Sequence, residues 1–103
     1  MNDVAAGKRL DEPTLRMIAA EAFDAFNSGG RHVQSFSARH PEFTLDDAYR
    51  VTAFAHALRA TRGFKPVGRK IGFTNRTIWP EYNVYAPIWG YVYDRTMHEL
   101  AQP

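Results

Sequence analysis

The sequence predicts an α+β fold, two amphipathic helices packed on a small sheet, on three observations. Apolar residues recur at helical spacing in two stretches, one spanning residues 15–26 and the other 48–58. Between the second of these and the end of the chain lies Val67-Gly68-Arg69-Lys70-Ile71-Gly72-Phe73-Thr74, whose β-favouring residues alternate as in a strand. Tyr91-Val92-Tyr93 supplies a further short strand. Helices followed by strands indicate α+β, although this is little sheet for a complete domain.

Taken in order, residues 1–10 carry no periodic pattern and are expected to fray. The first helix begins near Asp11, a good N-cap, with Pro13 tolerated in the first turn. Leu15, Ile18, Ala19, Ala22, Phe23 and Phe26 form its apolar stripe, and Glu21 and Asp24 face solvent. Asn27-Ser28-Gly29-Gly30 ends it, since glycine accepts the left-handed conformation of a helix C-terminus. Residues 31–43 read as a connection, with His40 extended because Pro41 follows it.

The second helix starts at Thr44, with Asp47 three residues on in a capping-box arrangement. Ala48, Val51, Phe54, Ala55 and Leu58 are its buried stripe, and Arg50, Arg59 and Arg62 point to solvent or a partner. Gly63 stops it, and Pro66 opens the Lys70 strand. Beyond Thr74 the pattern is irregular. A short helix interrupted at Pro80 is expected within residues 75–82, a positive φ at Asn83, and a turn at Ala86-Pro87-Ile88-Trp89-Gly90. Asp94-Arg95 reads as a turn and Met97 to Leu100 as the start of another strand.

Composition narrows the function. The 103 residues make one domain at most, or part of one, 45% hydrophobic and 14% aromatic, enough for a packed core. A net charge of +2 with scattered basic residues argues against a nucleic-acid surface, despite a pI near 9.2. The absence of cysteine excludes disulfides and thiolate chemistry. No apolar run is long enough to span a membrane, and Met1 to Gly7 lack the sustained apolar stretch of a signal peptide. A cytoplasmic location is the default expectation.

Lys70 is the residue that stands out. Alternation places Arg69 with Val67, Ile71 and Phe73 on one face, and Lys70 on the other between Gly68 and Gly72. Two glycines leave the lysine's face bare for close approach of a ligand or another backbone. The lysine is then either a cation for an anionic substrate or a solvated residue guarding an edge strand. His32, His40, His56 and His98 have no metal-ligand spacing, and Asp46 and Asp47 are explained by capping and the helix dipole. The aromatic group Trp79, Tyr82, Tyr85, Trp89, Tyr91 and Tyr93 is core or an interface.

Gly68-Arg69-Lys70-Ile71-Gly72-Phe73-Thr74 resembles the G-x-K-I-G-x-T signature of the 2-keto-4-pentenoate hydratase family. That family includes the 4-oxalocrotonate decarboxylases, within the fumarylacetoacetate hydrolase superfamily. Pro41-Glu42-Phe43-Thr44-Leu45-Asp46-Asp47-Ala48-Tyr49 looks like the family's P-x-L-T-x-x-D-A-Y stretch, and Val84-Tyr85-Ala86-Pro87-Ile88-Trp89-Gly90 its V-x-x-P-x-[FW]-G segment. The resemblance covers nearly all of this chain but only the amino-terminal part of a family member. It implies the amino-terminal domain of a hydratase-like fold. The activity implied is that of a hydro-lyase on a small 2-keto or 2-hydroxy-dienoic acid in aromatic-compound catabolism, with Mg²⁺ or Mn²⁺ chelating the substrate. Lys70 matches the signature lysine and becomes the catalytic candidate, as a charge for the enolate or the carboxylate. Arg69, Gly72 and Thr74 become candidates for substrate binding.

The sequence also departs from the family. Ile88 stands where the hydratases often carry an acidic residue for proton transfer, and Thr52 where a glutamine is common. The family's metal-binding Glu-x-Glu segment has no counterpart, since Asp94 and Glu99 lack its spacing. The expectation is a single domain over 1–103, without the metal-binding domain and inactive alone. Its partners would be a small 2-keto acid and either another copy of itself or a catalytic half. A non-catalytic binding or assembly module with the same fold is the competing reading.

Overall fold

The computed structural model describes residues 10–101, so nearly all of the segment expected to fray lies outside the described residues. The chain divides into two compact units, one ending at Arg62 and one beginning at Gly63.

The first unit is helical. Helix α1 (Glu12–Asn27) begins where Asp11, in extended conformation, accepts the Thr14 N–H at 3.0 Å. It ends at two left-handed glycines, Gly29 (φ +83°) and Gly30 (φ +74°), the latter donating its N–H to the Ala25 carbonyl. A single helical turn, α2 (Phe36–Arg39), lies inside the expected connection, and His40 follows it at φ −132°, ψ 85°, outside the helical region. Arg39 grips Glu21 through two hydrogen bonds of 3.0 and 2.9 Å, tying this turn to α1.

Helix α3 (Leu45–Thr61) carries a complete capping box. The Thr44 hydroxyl accepts the Asp47 N–H at 3.0 Å, and the Asp47 carboxylate accepts the Thr44 N–H at 3.1 Å. Aspartate is short for this role, yet the reciprocal bond forms.

Leu15, Ile18 and Ala19 of α1 and Val51 and Ala55 of α3 form the core, with Phe36, Phe43, Phe54 and Leu58 packed around it. Within this unit the two helical stripes are therefore buried against each other, helix on helix. Leu15 is wholly buried, and its truncation to alanine would cost about 2–5 kcal/mol. Two details of the stripes also change. Phe26 is 43% exposed and Ala25 is buried in its place. Arg59, expected towards solvent or a partner, lies over the rings of Phe23 and Phe26 at 5.5 and 5.2 Å.

The second unit is a two-stranded antiparallel sheet of β1 (Pro66–Gly72) and β2 (Ile88–Tyr93). Gly63, at φ +82°, precedes it, and a Cβ there would lie 2.9 Å from the Arg95 guanidinium. The strands pair Gly68 with Val92, Arg69 with Tyr91, Lys70 with Gly90, Ile71 with Trp89 and Gly72 with Ile88. The register shifts between Pro66 and Gly68, which takes Val67 out of the simple alternation. Phe64 and Tyr93 are buried edge to face, 6.0 Å between ring centres. Asp94 clasps the end of the pair, its N–H donating to the Lys65 carbonyl at 2.9 Å.

The strands are joined through a 3₁₀ turn (Arg76–Ile78) and a short helix α4 (Trp79–Tyr82) that ends on Asn83 at φ +54°, as asparagine there suggests. Pro80 does not interrupt this helix; it occupies the first turn, where its missing N–H is harmless. Ile88-Trp89-Gly90, expected in a turn, are strand, and Met97 to Leu100 form none. Among the described residues no helix is long and apolar enough to cross a membrane.

Candidate functional site

The site is built on the Lys70 face of the sheet. Antiparallel partners share a face, so Lys70 stands with Gly90 directly opposite, and Gly68 and Gly72 to either side. A Cβ added at Gly68 or at Gly90 would meet nothing within 4 Å. The face is bare because three of its positions carry no side chain.

The lysine folds along this bare surface towards the end of β1. Its Nζ donates to the Ile71 carbonyl at 3.4 Å and lies 3.6 Å from where a Gly72 Cβ would stand. Among the described residues no carboxylate pairs with it. Lys70, Gly72, Ile88, Trp89, Gly90 and Tyr91 line an open cleft of about 360 Å³, the size range of small-ligand pockets. An ammonium group over a largely apolar wall can hold one anionic group of a small molecule. Among the described residues the lining contains no carboxylate or histidine to move a proton.

The expected site residues are not all brought together. Gly72 lines the cleft with Lys70. The register puts Arg69 on the opposite face together with Ile71, Trp89 and Tyr91, its guanidinium 4.8 Å from the Trp89 ring centre and 5.6 Å from that of Tyr91, so Ile88 is the lining side chain that shares the Lys70 face. Thr74 is exposed and outside the lining. Phe73, expected to continue the strand beside Arg69, instead turns at φ +58°. That is a strained conformation for a bulky residue. The Trp79 indole N–H donates to the Phe73 carbonyl at 2.9 Å, and the Tyr82 ring packs edge to face on Phe73 at 5.7 Å, holding it there. Ile88, Trp89, Gly90 and Tyr91 were not expected in the site. The signal for them was the β-branched and aromatic content of residues 88–93, which reads as one continuous strand.

No protein-family model matches the chain. It is 31% identical over 89 residues to a 2-hydroxyhexa-2,4-dienoate hydratase of Comamonas testosteroni, covering 86% of this chain and 33% of that protein. Over 82 residues it is 28% identical to a 2-keto-4-pentenoate hydratase of Paraburkholderia xenovorans, covering 80% of this chain and 30% of the relative. Its fold is similar to that of 4-oxalocrotonate decarboxylase from Pseudomonas putida G7, solved with magnesium and adipate and also with calcium and acetate. The TM-scores are 0.77 and 0.75 at 26% identity, over 84% of this chain and 33% of the other. The chain thus spans about a third of the length of the proteins it matches.

Proposed function

The chain matches the amino-terminal part of the 2-keto-4-pentenoate hydratase and 4-oxalocrotonate decarboxylase family in sequence and fold, and from that premise we propose what it contributes. It supplies the anion-holding strand of a hydratase- or decarboxylase-type enzyme acting on a small 2-keto acid. The observation that carries this reading is the Lys70 ammonium on a sheet face stripped to glycine, opening on a cleft of ligand size. Reactions of unsaturated 2-keto acids build negative charge on the keto oxygen as an enolate forms. A cation held beside that oxygen stabilises the enolate more than the ketone, which lowers the barrier. In this role Lys70 acts by charge. Gly72 and Gly90 keep the approach open.

Solved relatives hold magnesium or calcium. Among the described residues no group of three or more His, Cys, Asp or Glu is placed to hold a metal ion. These residues do not fit the ion, and no step proposed for this chain runs through it. Arg69 and Thr74, away from the cleft, carry no part of the proposed contact.

Titration of the full chain with 2-oxopentanoate, followed by backbone amide NMR, tests the reading. Shifts are expected at residues 70, 72 and 88–91. Lys70→Met, which keeps the apolar stem, is expected to weaken binding about tenfold, the scale of a charge-assisted hydrogen bond. Gly90→Val, whose side chain has room but would fill the face opposite Lys70, is expected to weaken it as well. Unchanged affinity in Lys70→Met would refute the assignment.

A second reading, a non-catalytic assembly module, is favoured by one observation. Ile88 occupies the cleft wall and offers no proton, while Ile71 and Val67 leave apolar surface exposed on the sheet.

A further inference from the structure

We propose that Gly72-Phe73-Thr74 is a two-state latch. Trp79 and Tyr82 hold Phe73 left-handed, and when they let go Phe73 becomes extended and Thr74 moves onto the Lys70 face of the sheet. The device lies in the chain's own conformation and holds whatever the cleft binds.

Strand β1 stops at Gly72 for a reason visible across the sheet. One step beyond the Gly72–Ile88 pair, Phe73 would stand opposite Pro87, which has no N–H to give it. The Trp79 indole N–H takes that place, donating to the Phe73 carbonyl at 2.9 Å. The connection turns back to deliver it, starting at Asn75, whose side chain accepts the Thr77 N–H at 3.1 Å and opens the 3₁₀ turn. Tyr82, the last residue of α4, sets its ring edge to face on Phe73 with 5.7 Å between centres.

The conformation held in this way is a costly one. At φ +58° Phe73 lies where a bulky side chain is strained, whereas an aromatic residue favours extended backbone. Asn83, left-handed at the far end of α4, is of a type that tolerates it. Against the strain stand one hydrogen bond and one ring contact, each of the same order as the strain itself. Neither is sealed from water, since Phe73 and Trp79 are half-buried and Tyr82 is 59% exposed. Terms so nearly matched make the second conformation accessible.

What release does follows from the period of two. With Phe73 extended, alternation carries on along the strand, and its ring goes to the Arg69 face. Thr74 goes to the face of Lys70 and Gly72, diagonal to Ile88. The latch therefore sets the lining beyond Gly72. That end of the Lys70 face is bare when the latch is closed and carries a hydroxyl when it is open.

Solution NMR of the full chain reads the two states without a ligand. In wild type the HN–Hα coupling and carbon shifts of Phe73 are expected to be left-handed. Trp79→Phe keeps a ring and removes the donor. The ratio of extended to left-handed Phe73 is then expected to rise about tenfold, the scale of one hydrogen bond, with a nuclear Overhauser contact appearing between the Thr74 methyl and Ile88. Tyr82→Leu is expected to raise the ratio about threefold, the scale of one ring pair. Phe73 extended in wild type, or left-handed to the same degree in both variants, would overturn the latch. Release of Phe73 without the Thr74–Ile88 contact would overturn its consequence for the cleft. If Trp79→Phe loses the Lys70–Gly90 pairing, Tyr82→Leu decides alone by the same criteria.

Discussion

Asp94 closes the sheet unit with one carboxylate oxygen, which accepts the Lys65 N–H at 3.0 Å and the Arg95 N–H at 2.9 Å. The bond from the Lys65 backbone holds its carboxyl below the ordinary value of 3.8; desolvation opposes it, and the bond from the Arg95 backbone and the charges of Arg95 and Lys65 add to the lowering. Asp11 is lowered likewise by its hydrogen bonds to Thr14, side chain first and backbone second. A folded-state pKa below the unfolded one stabilises the fold above the unfolded value and loses that contribution as pH falls through the folded one. The thermal midpoint is therefore expected to be level above about pH 5 and to fall below about pH 4. Asp94→Asn is expected to reduce the acid slope. A midpoint insensitive to acid in wild type would contradict this account. Residue-scale features of this kind are legible in sequence where the partner is local, as with Asp11 and Thr14. The Asp94 clasp on Lys65 is not, because its partner is remote in the chain.

Among the elements, α3 is the one whose start is most fully specified. Its Thr44–Asp47 box satisfies one N–H of the helix start and the N-cap N–H reciprocally, and the Asp47 side chain is buried while doing so. Thr44→Ala and Asp47→Ala are each expected to cost about 1 kcal/mol in urea unfolding. Each removes a different bond of the box, and the double variant is expected to cost less than the sum, because losing either bond loosens the turn that the other depends on. Strict additivity would show that the two halves act independently. Strand β2 is the contrasting element. Its last residues were recognisable from Tyr91-Val92-Tyr93, but Ala86-Pro87 disguised its beginning as a turn. Alternation along β1 placed Lys70 among glycines and Arg69 on the other face, and the structure keeps that division. It fails at both ends of the stretch, where the register shifts at Val67 and Phe73 adopts a positive φ.

At the scale of the molecule, the sheet unit leaves apolar surface open. It has two strands, so both outer edges are unpaired among the described residues, and Ile71 is 63% and Val67 48% exposed. Two-stranded sheets are marginal alone, and open apolar edges invite pairing. Self-association is expected, visible as a sedimentation coefficient that rises with protein concentration. Ile71→Lys is expected to suppress it, since lysine on an edge strand discourages pairing. A constant monomer value at high concentration would contradict the expectation.

The sequence by itself determined the local features: the caps at Asp11 and Thr44, the glycine stops, the left-handed Asn83, the two helical stripes and the bare face around Lys70. Each is decided by a residue's own conformational preference or by neighbours within a turn. The tertiary structure alone decided what those stripes bury against and what stands opposite Lys70. The first is a choice among apolar partners that periodicity leaves open, and here helix met helix. The second depends on the register of two strands distant in sequence, where a shift of one residue would replace Gly90 by a bulky neighbour and close the cleft.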